Sequence, residues 1–492
     1  MHALAPDSAK PAAPPAKHPR GLATLFFTEM WERFSYYGTR AILILFMTNA
    51  VTGGGLGFDV PKASAIYGMY AAMVYLLGLP GGWIADRFLG QQKAVLWGGI
   101  FIAAGNAGLA IPNIAAFYMG LGLISIGTGL LKPNVSTIVG QIYKPGDVRR
   151  DAGFSIFYMG INTGALISPL ICGYLGERVN WHMGFAVASG CMVLGLVQYT
   201  LGRKHLGEAG LHPVKAENAA AEGAQRRQLW TGLVITAVVV VGVVMLAVNG
   251  TVSIININSA FGGFLAVIAI GTFSWLIIFS DWTPEERKRL IVVLFLFLAS
   301  VVFWSIFEQA GSTLNLFAER NTDLHAFGYS FPASWFQAVN SIFLIAFAPL
   351  LAWLWIKLGD HDLSSPVKFG LGLILVSLGV LVLIPAAQAT GRVSPMWLVA
   401  TYLLHTIGEL CLSPVGLSAM TKLAPTRIAG LTMGVWFLSV SIGNYNAGKL
   451  SSMFESMPLP SLFLFQGVAA IAAGAALLLL SRMINRLMGG VR

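Results

Sequence analysis

Fourteen long apolar runs, separated by short polar stretches, follow one another along the chain. They cover residues 22–51, 63–85, 94–112, 115–142, 152–175, 182–202, 228–248, 260–280, 290–317, 331–356, 367–388, 395–421, 428–450 and 461–481. A helix that crosses a bilayer needs about 20 mostly apolar residues, so each run is long enough to span. The polar interval 203–227 (RKHLGEAGLHPVKAENAAAEGAQRR) is the longest between runs. It divides the pattern into six spans, then two, then six. The predicted organisation is an N-terminal tail (1–20), a six-helix bundle (21–202), a linker (203–227), two inserted helices (228–285), a second six-helix bundle (286–482) and a C-terminal tail (483–492).

Composition agrees with this pattern. The chain is 56% hydrophobic and 11% charged, against about 25% charged residues in soluble domains. The bilayer is therefore the expected solvent and lipid the first partner. The net charge of +10 does not indicate nucleic acid, because the bases lie in short loops between apolar runs. With the N-terminus placed in the cytoplasm and the spans alternating, 23 of the 31 Lys and Arg fall on the cytoplasmic side. Five fall on the other side, and Arg33, Arg40 and Lys132 fall within spans. This asymmetry predicts both termini inside and an even number of spans. The first twenty residues are Ala/Pro-rich and basic without an apolar core, so they do not read as a cleaved signal peptide.

The chemistry lies in the charges that composition leaves inside the membrane. Of 21 acids, Glu29, Glu32, Glu308 and Glu409 fall within spans. An ionisable group at this depth costs roughly 3 kcal/mol and is kept where it pairs or lines a wet cavity. In the first span, Glu29, Glu32, Arg33, Tyr36, Tyr37 and Arg40 repeat at helical spacing and share one stripe. Lys132, beside Pro133, calls for a carboxylate partner, and Glu29 and Glu32 are the candidates by type. A carboxylic acid held out of water favours its protonated form, and a nearby base opposes this. A substrate that engages the base would change that balance, which is the physical basis of proton coupling. The three cysteines, Cys172, Cys191 and Cys411, give no metal spacing and no disulfide framework. No nucleophile–base constellation marks an enzyme. Unlike charges in pairs are not the single-sign rings of a channel.

These residues also resemble a known family. Glu29-x-x-Glu32-Arg33-Phe34-x-Tyr36-Tyr37-Gly38 is similar to the first-helix signature of the proton-dependent oligopeptide transporters (POT/PTR), a branch of the major facilitator superfamily. The stretch Phe154–Pro169 resembles the family's fifth-helix signature. Phe303-Trp304-Ser-Ile-Phe-Glu308-Gln309 and Gly408-Glu409-Leu-Cys-Leu-Ser413-Pro414 resemble its seventh- and tenth-helix motifs. Gly82-Trp-Ile-Ala-Asp86-Arg87-Phe-Leu-Gly90 is similar to the superfamily's loop between helices two and three. The six-two-six count matches bacterial members, which insert two helices between the bundles.

The resemblance implies an all-α membrane fold of two six-helix bundles around a central site, plus the two inserted helices. It implies proton-coupled import of di- and tripeptides by alternating access across a bacterial cytoplasmic membrane, by a monomer and with no cofactor beyond the proton. Arg33 and Lys132 would receive the peptide carboxylate. Glu409, with Asn162 and Asn340, would receive the amino terminus. Tyr36, Tyr37, Tyr70, Tyr158, Ile161, Trp304, Ser413 and Trp436 would line the pocket. Glu29 and Glu32 would couple to proton movement, and Arg40 and Glu308 would form a gate that protonation of Glu308 releases. Another substrate (nitrate, a modified peptide or a drug) is the alternative within the same fold. Mammalian members carry a histidine where this chain has Gly68 after Tyr67, so the carboxylates must carry the coupling here. His405, within a span, reads as a packing residue.

Overall fold

The computed structural model describes residues 17–144, 146–214, 216, 218–326, 328–425 and 428–489. Most of the predicted N-terminal tail, and residues 490–492 of the C-terminal tail, lie outside the described residues.

Among the described residues there are fourteen long helices: α1 (Gly21–Thr48), α2 (Val60–Leu89), α3 (Gln91–Leu109), α4 (Ile114–Gln141), α5 (Arg150–Val179), α6 (Trp181–His205), α7 (Ala219–Val248), α8 (Ile254–Phe279), α9 (Pro284–Asn321), α10 (Ala333–Leu358), α11 (Ser365–Gln388), α12 (Met396–Leu423), α13 (Ala429–Ser451) and α14 (Leu459–Leu487). Helices are the expected answer to a bilayer, since each satisfies its backbone hydrogen bonds internally. Eleven of them are apolar and long enough to span by composition alone. The other three, α1, α3 and α13, are diluted by charge or by Gly, Ser, Asn and Gln.

Local sequence sets several starts. The side chains of Asp59, Asn113, Asn180 and Asn218 accept backbone amides in the first turns of α2, α4, α6 and α7. Thr283 and Glu286 form a reciprocal capping box ahead of α9, with Pro284 at its first position. Pro133, Pro169, Pro349 and Pro414 interrupt the interiors of α4, α5, α10 and α12. Two sequence expectations change. The seventh helix begins at Ala219 rather than 228, because the Asn218 cap nucleates it inside the polar interval. The ninth is not one continuous α-helix: it tightens into a 3-10 turn at Glu308–Gly311 and resumes at Thr313.

Helices α1–α6 form one bundle and α9–α14 the other. In the first, α1 packs on α5 and α6, and α3 on α4 and α6. In the second, α11 packs on α12 and α14, and α9 on α13. Small residues allow the close approaches. A Cβ on Gly98 would lie 2.6 Å from the Gly127 carbonyl oxygen, and one on Gly105 would lie 2.7 Å from that of Gly120. The bundles meet along two helix pairs, α2 with α13 and α5 with α10. Of the inserted helices, α8 packs on α2 and α13, where Phe261 meets the Tyr445 ring. Among its described residues helix α7 has none buried, and it presents its apolar length outward, as a lipid-facing helix does. Fourteen alternating spans place Gly21 and Leu487 on one face, called the termini face below.

On that face Arg149 braces the α4–α5 loop. Its guanidinium donates to Asp147 from Nε (2.9 Å) and Nη2 (2.6 Å), and to the Lys17 carbonyl from Nη1 (2.8 Å). The Arg149 hydrogen bonds hold the Asp147 carboxyl at about 2, well below its ordinary value. The brace therefore persists at any pH above that.

The α2–α13 crossing has no spare room. A Cβ on Gly68 would lie 2.8 Å from Gly448 Cα, between the Ser64–Ser451 hydroxyl bond (3.0 Å) and the bond from Ser441 Oγ to the Ala72 carbonyl (2.9 Å). Gly68→Val forces these backbones apart and is expected to lower stability by about 1–3 kcal/mol, the usual range for overpacking. Thermal unfolding in detergent should show the drop, and an unchanged midpoint would contradict this crossing.

Candidate functional site

Between the bundles lies a cavity of about 670 Å³, lined by α1, α2, α4, α5, α9, α10, α12 and α13. At the termini face its wall includes Ser155 and Leu417, both exposed. At the other end it stops at Arg40 and Tyr402, both buried. Beyond them the closing segments Ala41–Met47 and Leu314–Ala318 are almost completely buried. The cavity is thus open toward the termini face and closed on the opposite one.

Helix α1 supplies the charged floor. Arg33 donates through Nη2 to Glu32 Oε1 at 2.6 Å and also contacts the other Glu32 oxygen through Nε. Its Nε lies 3.4 Å from Glu29 Oε1. One guanidinium therefore serves two carboxylates, and all three side chains are buried. The Tyr36 and Tyr37 rings flank the same guanidinium at 5.0 and 6.0 Å. Two turns further along, Arg40 Nη2 meets Glu308 Oε2 at 2.9 Å, and Arg40 Nε donates to the Tyr67 hydroxyl at 3.1 Å. The 3-10 turn that begins at Glu308 lets this carboxylate leave α9 toward α1.

Lys132 departs from expectation. Among the described residues it forms no ion pair with Glu29, Glu32 or any other acid. Its Nζ lies 4.2 Å from the centre of the Tyr75 ring, a cation–π contact. Glu409, on α12 across the cavity, accepts from Asn340 Nδ2 at 3.2 Å, and that amide also reaches Thr406 at 2.9 Å. Glu409 has no cationic partner among the described residues. Asn162 does not join it, because its amide donates to the Tyr158 carbonyl of its own helix at 2.9 Å.

The cavity wall includes Glu29, Arg33, Tyr37, Arg40, Lys132, Tyr158, Ile161, Asn162, Trp304, Glu308, Asn340, Glu409, Ser413 and Trp436. Three predicted residues are not on it. Glu32 is fully buried behind Arg33, Tyr36 packs against that guanidinium, and Tyr70 is buried within the helix contacts. For Tyr36 and Tyr70 the pocket-lining expectation is corrected. Two tyrosines on α2 went unanticipated: Tyr67, which braces Arg40, and Tyr75, which carries Lys132. Their separation of eight residues puts both on one helix face, a pattern readable in the sequence. His405 is buried, with its ring 6.1 Å from Phe307 and its Cδ2 filling the space where Gly379 has no side chain.

The family model described as the POT family, PTR2, matches residues 92–463. The chain belongs to the POT family. It is 44% identical to an uncharacterized transporter, YclF, of Bacillus subtilis, over 96% of both chains. It is 40% identical to the peptide transporter YePEPT of Yersinia enterocolitica, over 96% of both. A di-/tripeptide transporter of Lactococcus lactis is 38% identical over 96% of this chain and 97% of that one. Among solved structures, a peptide transporter POT in complex with sulfate superposes with a TM-score of 0.91 at 44% identity, covering 98% of each chain. A POT family transporter in complex with 5-aminolevulinic acid gives 0.90 at 36% identity, covering 95% of this chain and 97% of that one. This POT family member is therefore a membrane transporter and not an enzyme.

In this POT family cavity, the Arg40–Glu308 pair is buried on both sides. Removing one partner leaves a desolvated charge, whereas removing both does not. Arg40→Met is expected to lower stability by about 3–5 kcal/mol, and Arg40→Met with Glu308→Gln should recover most of the loss. Thermal unfolding of the purified variants checks this, and additive losses in the double variant would show that the pair is not coupled.

Proposed function

We propose that the chain is a proton-coupled symporter that imports di- and tripeptides by alternating access. The observation that carries this reading is the polarity of the cavity. One wall holds Lys132, a base outside any ion pair among the described residues, beside an Arg33 shared between two acids. The other wall holds Glu409, an acid supported by the Asn340 amide and without a cationic partner among the described residues. A zwitterion with its two ends several bonds apart meets both needs at once, with its carboxylate toward Lys132 and Arg33 and its ammonium toward Glu409. An anion alone, such as nitrate, gains nothing from Glu409. The names borne by the Yersinia and Lactococcus relatives support the peptide assignment.

Coupling follows from how Arg33 is shared. While Glu29 and Glu32 are both ionised, each competes with a peptide carboxylate for the same guanidinium. A proton on either acid removes one competitor and frees donors for the substrate. The proton and the peptide are thus loaded together. On the face opposite the termini, a proton on Glu308 weakens its hold on Arg40 and favours opening there. A peptide that touches both bundles favours closure around itself, because it binds the occluded arrangement better than either open one. The excess of basic residues assigns the termini face to the cytoplasm, so the structure corresponds to the state that releases peptide inward. In this reading the chain works in a bacterial cytoplasmic membrane, as a monomer and with no cofactor beyond the coupling proton, and the bacterial origin of its relatives supports that membrane.

Uptake of labelled dialanine into proteoliposomes, with and without an inward proton gradient, tests this reading. Gradient-dependent accumulation is expected, and its absence together with accumulation of another solute would overturn the peptide assignment. Glu409→Gln should weaken binding of free-amine dipeptides by about tenfold or more, the scale of one charged hydrogen bond. Amino-blocked dipeptides should be much less affected. Equal losses for both would make Glu409 a structural group instead.

A further inference from the structure

On the face opposite the termini, a second set of contacts joins the bundles, separate from Arg40–Glu308. Glu177, at the end of α5, accepts from the backbone amides of Ala333 (2.8 Å) and Ser334 (3.0 Å). These are the first amides of α10, and the residue before them, Pro332, offers no side-chain cap. A helix start leaves amide hydrogens without intrahelical partners and favours a negative charge. The carboxylate of one bundle therefore supplies the cap that a helix of the other bundle lacks.

Neighbouring contacts reinforce the cap. Arg178 donates to Ser330 Oγ (2.5 Å) and to the Phe331 carbonyl (3.2 Å), and Trp335 Nε1 donates to the Leu170 carbonyl (3.0 Å). The approach is close, since a Cβ on Gly173 would fall 2.0 Å from Ser334 Oγ. Ala333 and Ser334 are fully buried beneath the contact. About two turns along the same helix, Asn340 donates to Glu409. The cap therefore fixes the height and rotation of the helix that orients the acidic pole of the cavity.

We propose that Glu177 is a positioning residue. By capping α10 from the opposite bundle, it latches the face opposite the termini shut and holds Asn340 against Glu409, and the latch must part each time that face opens. The proposal rests on the alternating-access reading given above. The two latches differ in kind. Parting Arg40 from Glu308 strands a buried guanidinium, whereas parting Glu177 from α10 leaves an exposed carboxylate and helix-end amides, groups that water satisfies readily. The second latch can release in each cycle without an unpaired buried charge.

The test uses the full chain in nanodiscs, with Cys172, Cys191 and Cys411 replaced by alanine and one new thiol introduced. Ser334→Cys reports the face opposite the termini, and Ser155→Cys reports the mouth on the termini face. Maleimide labelling rates are measured with Glu177 intact and with Glu177→Ala or Glu177→Gln. Glu177→Ala should raise the Ser334→Cys rate about tenfold, as expected for loss of charged hydrogen bonds that hold one state, and should lower the Ser155→Cys rate. Glu177→Gln, which keeps one acceptor oxygen, should fall between. A rise at both thiols would mean general loosening, and no change at either would mean no latch, so both results overturn the proposal. With Glu177 intact, saturating dialanine should change the ratio of the two rates. A constant ratio in that background would instead count against alternating access itself, whatever Glu177 does.

Discussion

Everything in this protein depends on keeping charge out of contact with lipid. A single ion at membrane depth is costly, and the cost falls only when an opposite charge or a hydrogen-bond donor meets it in good geometry. The chain meets this condition by placing its intramembrane charges along the seam between two bundles. Arg33 lies between Glu29 and Glu32, and Arg40 is against Glu308. The Arg40–Glu308 pair also binds α1 to α9, so an interaction that makes charge tolerable helps define where the bundles touch. The cavity wall and the closure contacts therefore share side chains.

This arrangement makes the closed face state-dependent. Arg40–Glu308 joins α1 to α9, and Glu177 joins α5 to the start of α10. Asn315 Nδ2 adds a bond to the Ala41 carbonyl at 2.7 Å. All of these bonds cross from one bundle to the other, and all lie on the side away from the chain termini. The α2–α13 crossing, in contrast, runs through Gly68 and Gly448 with backbone nearly on backbone. Backbone-directed contacts such as the Glu177 cap, which water can replace, suit a face that opens. A glycine crossing that tolerates no added atom suits a pivot. In the alternating-access reading, this division of chemistry matches what each kind of contact would do when the bundles rock.

Much of this was legible in the sequence, and the remainder was not for identifiable reasons. The fourteen spans followed from run length, because lipid demands length and apolarity of every helix. The charged stripe of α1 followed from helical spacing, but spacing could not say which part of the stripe faces the cavity. In a surface helix, one face is wet and the other dry, and periodicity separates them. Helix α1 is enclosed by protein on nearly every side, so Glu32 and Tyr36 are as buried as Leu43. Only three-dimensional packing tells the cavity wall from its support. Lys132 was expected to find a carboxylate because charge rules favour one, and the Tyr75 ring face met the need instead. The Glu177 cap was invisible because its partners are backbone amides 156 residues away, and backbone groups leave no trace in residue identity.

The balance of charge inside the seam then decides what the cavity can hold. Arg33 and Lys132 together match Glu29 and Glu32, and Arg40 matches Glu308, which leaves the Glu409 carboxylate in excess. In a low-dielectric cavity an uncompensated carboxylate attracts a proton or an ammonium group, and the two compete for it. In the symport reading proposed above, a peptide would bring an ammonium to that position and a carboxylate to the opposite wall, adding no net charge while relieving both poles. A proton arriving at Glu29 or Glu32 shifts the balance on the other wall, freeing Arg33 just where the peptide carboxylate would sit. On that reading, substrate and proton stabilise each other's binding because each removes an electrostatic conflict that the other would face alone. By thermodynamic reciprocity the same linkage must operate on release. Loss of the proton to the termini side would then restore the competition for Arg33 and weaken the hold on the peptide.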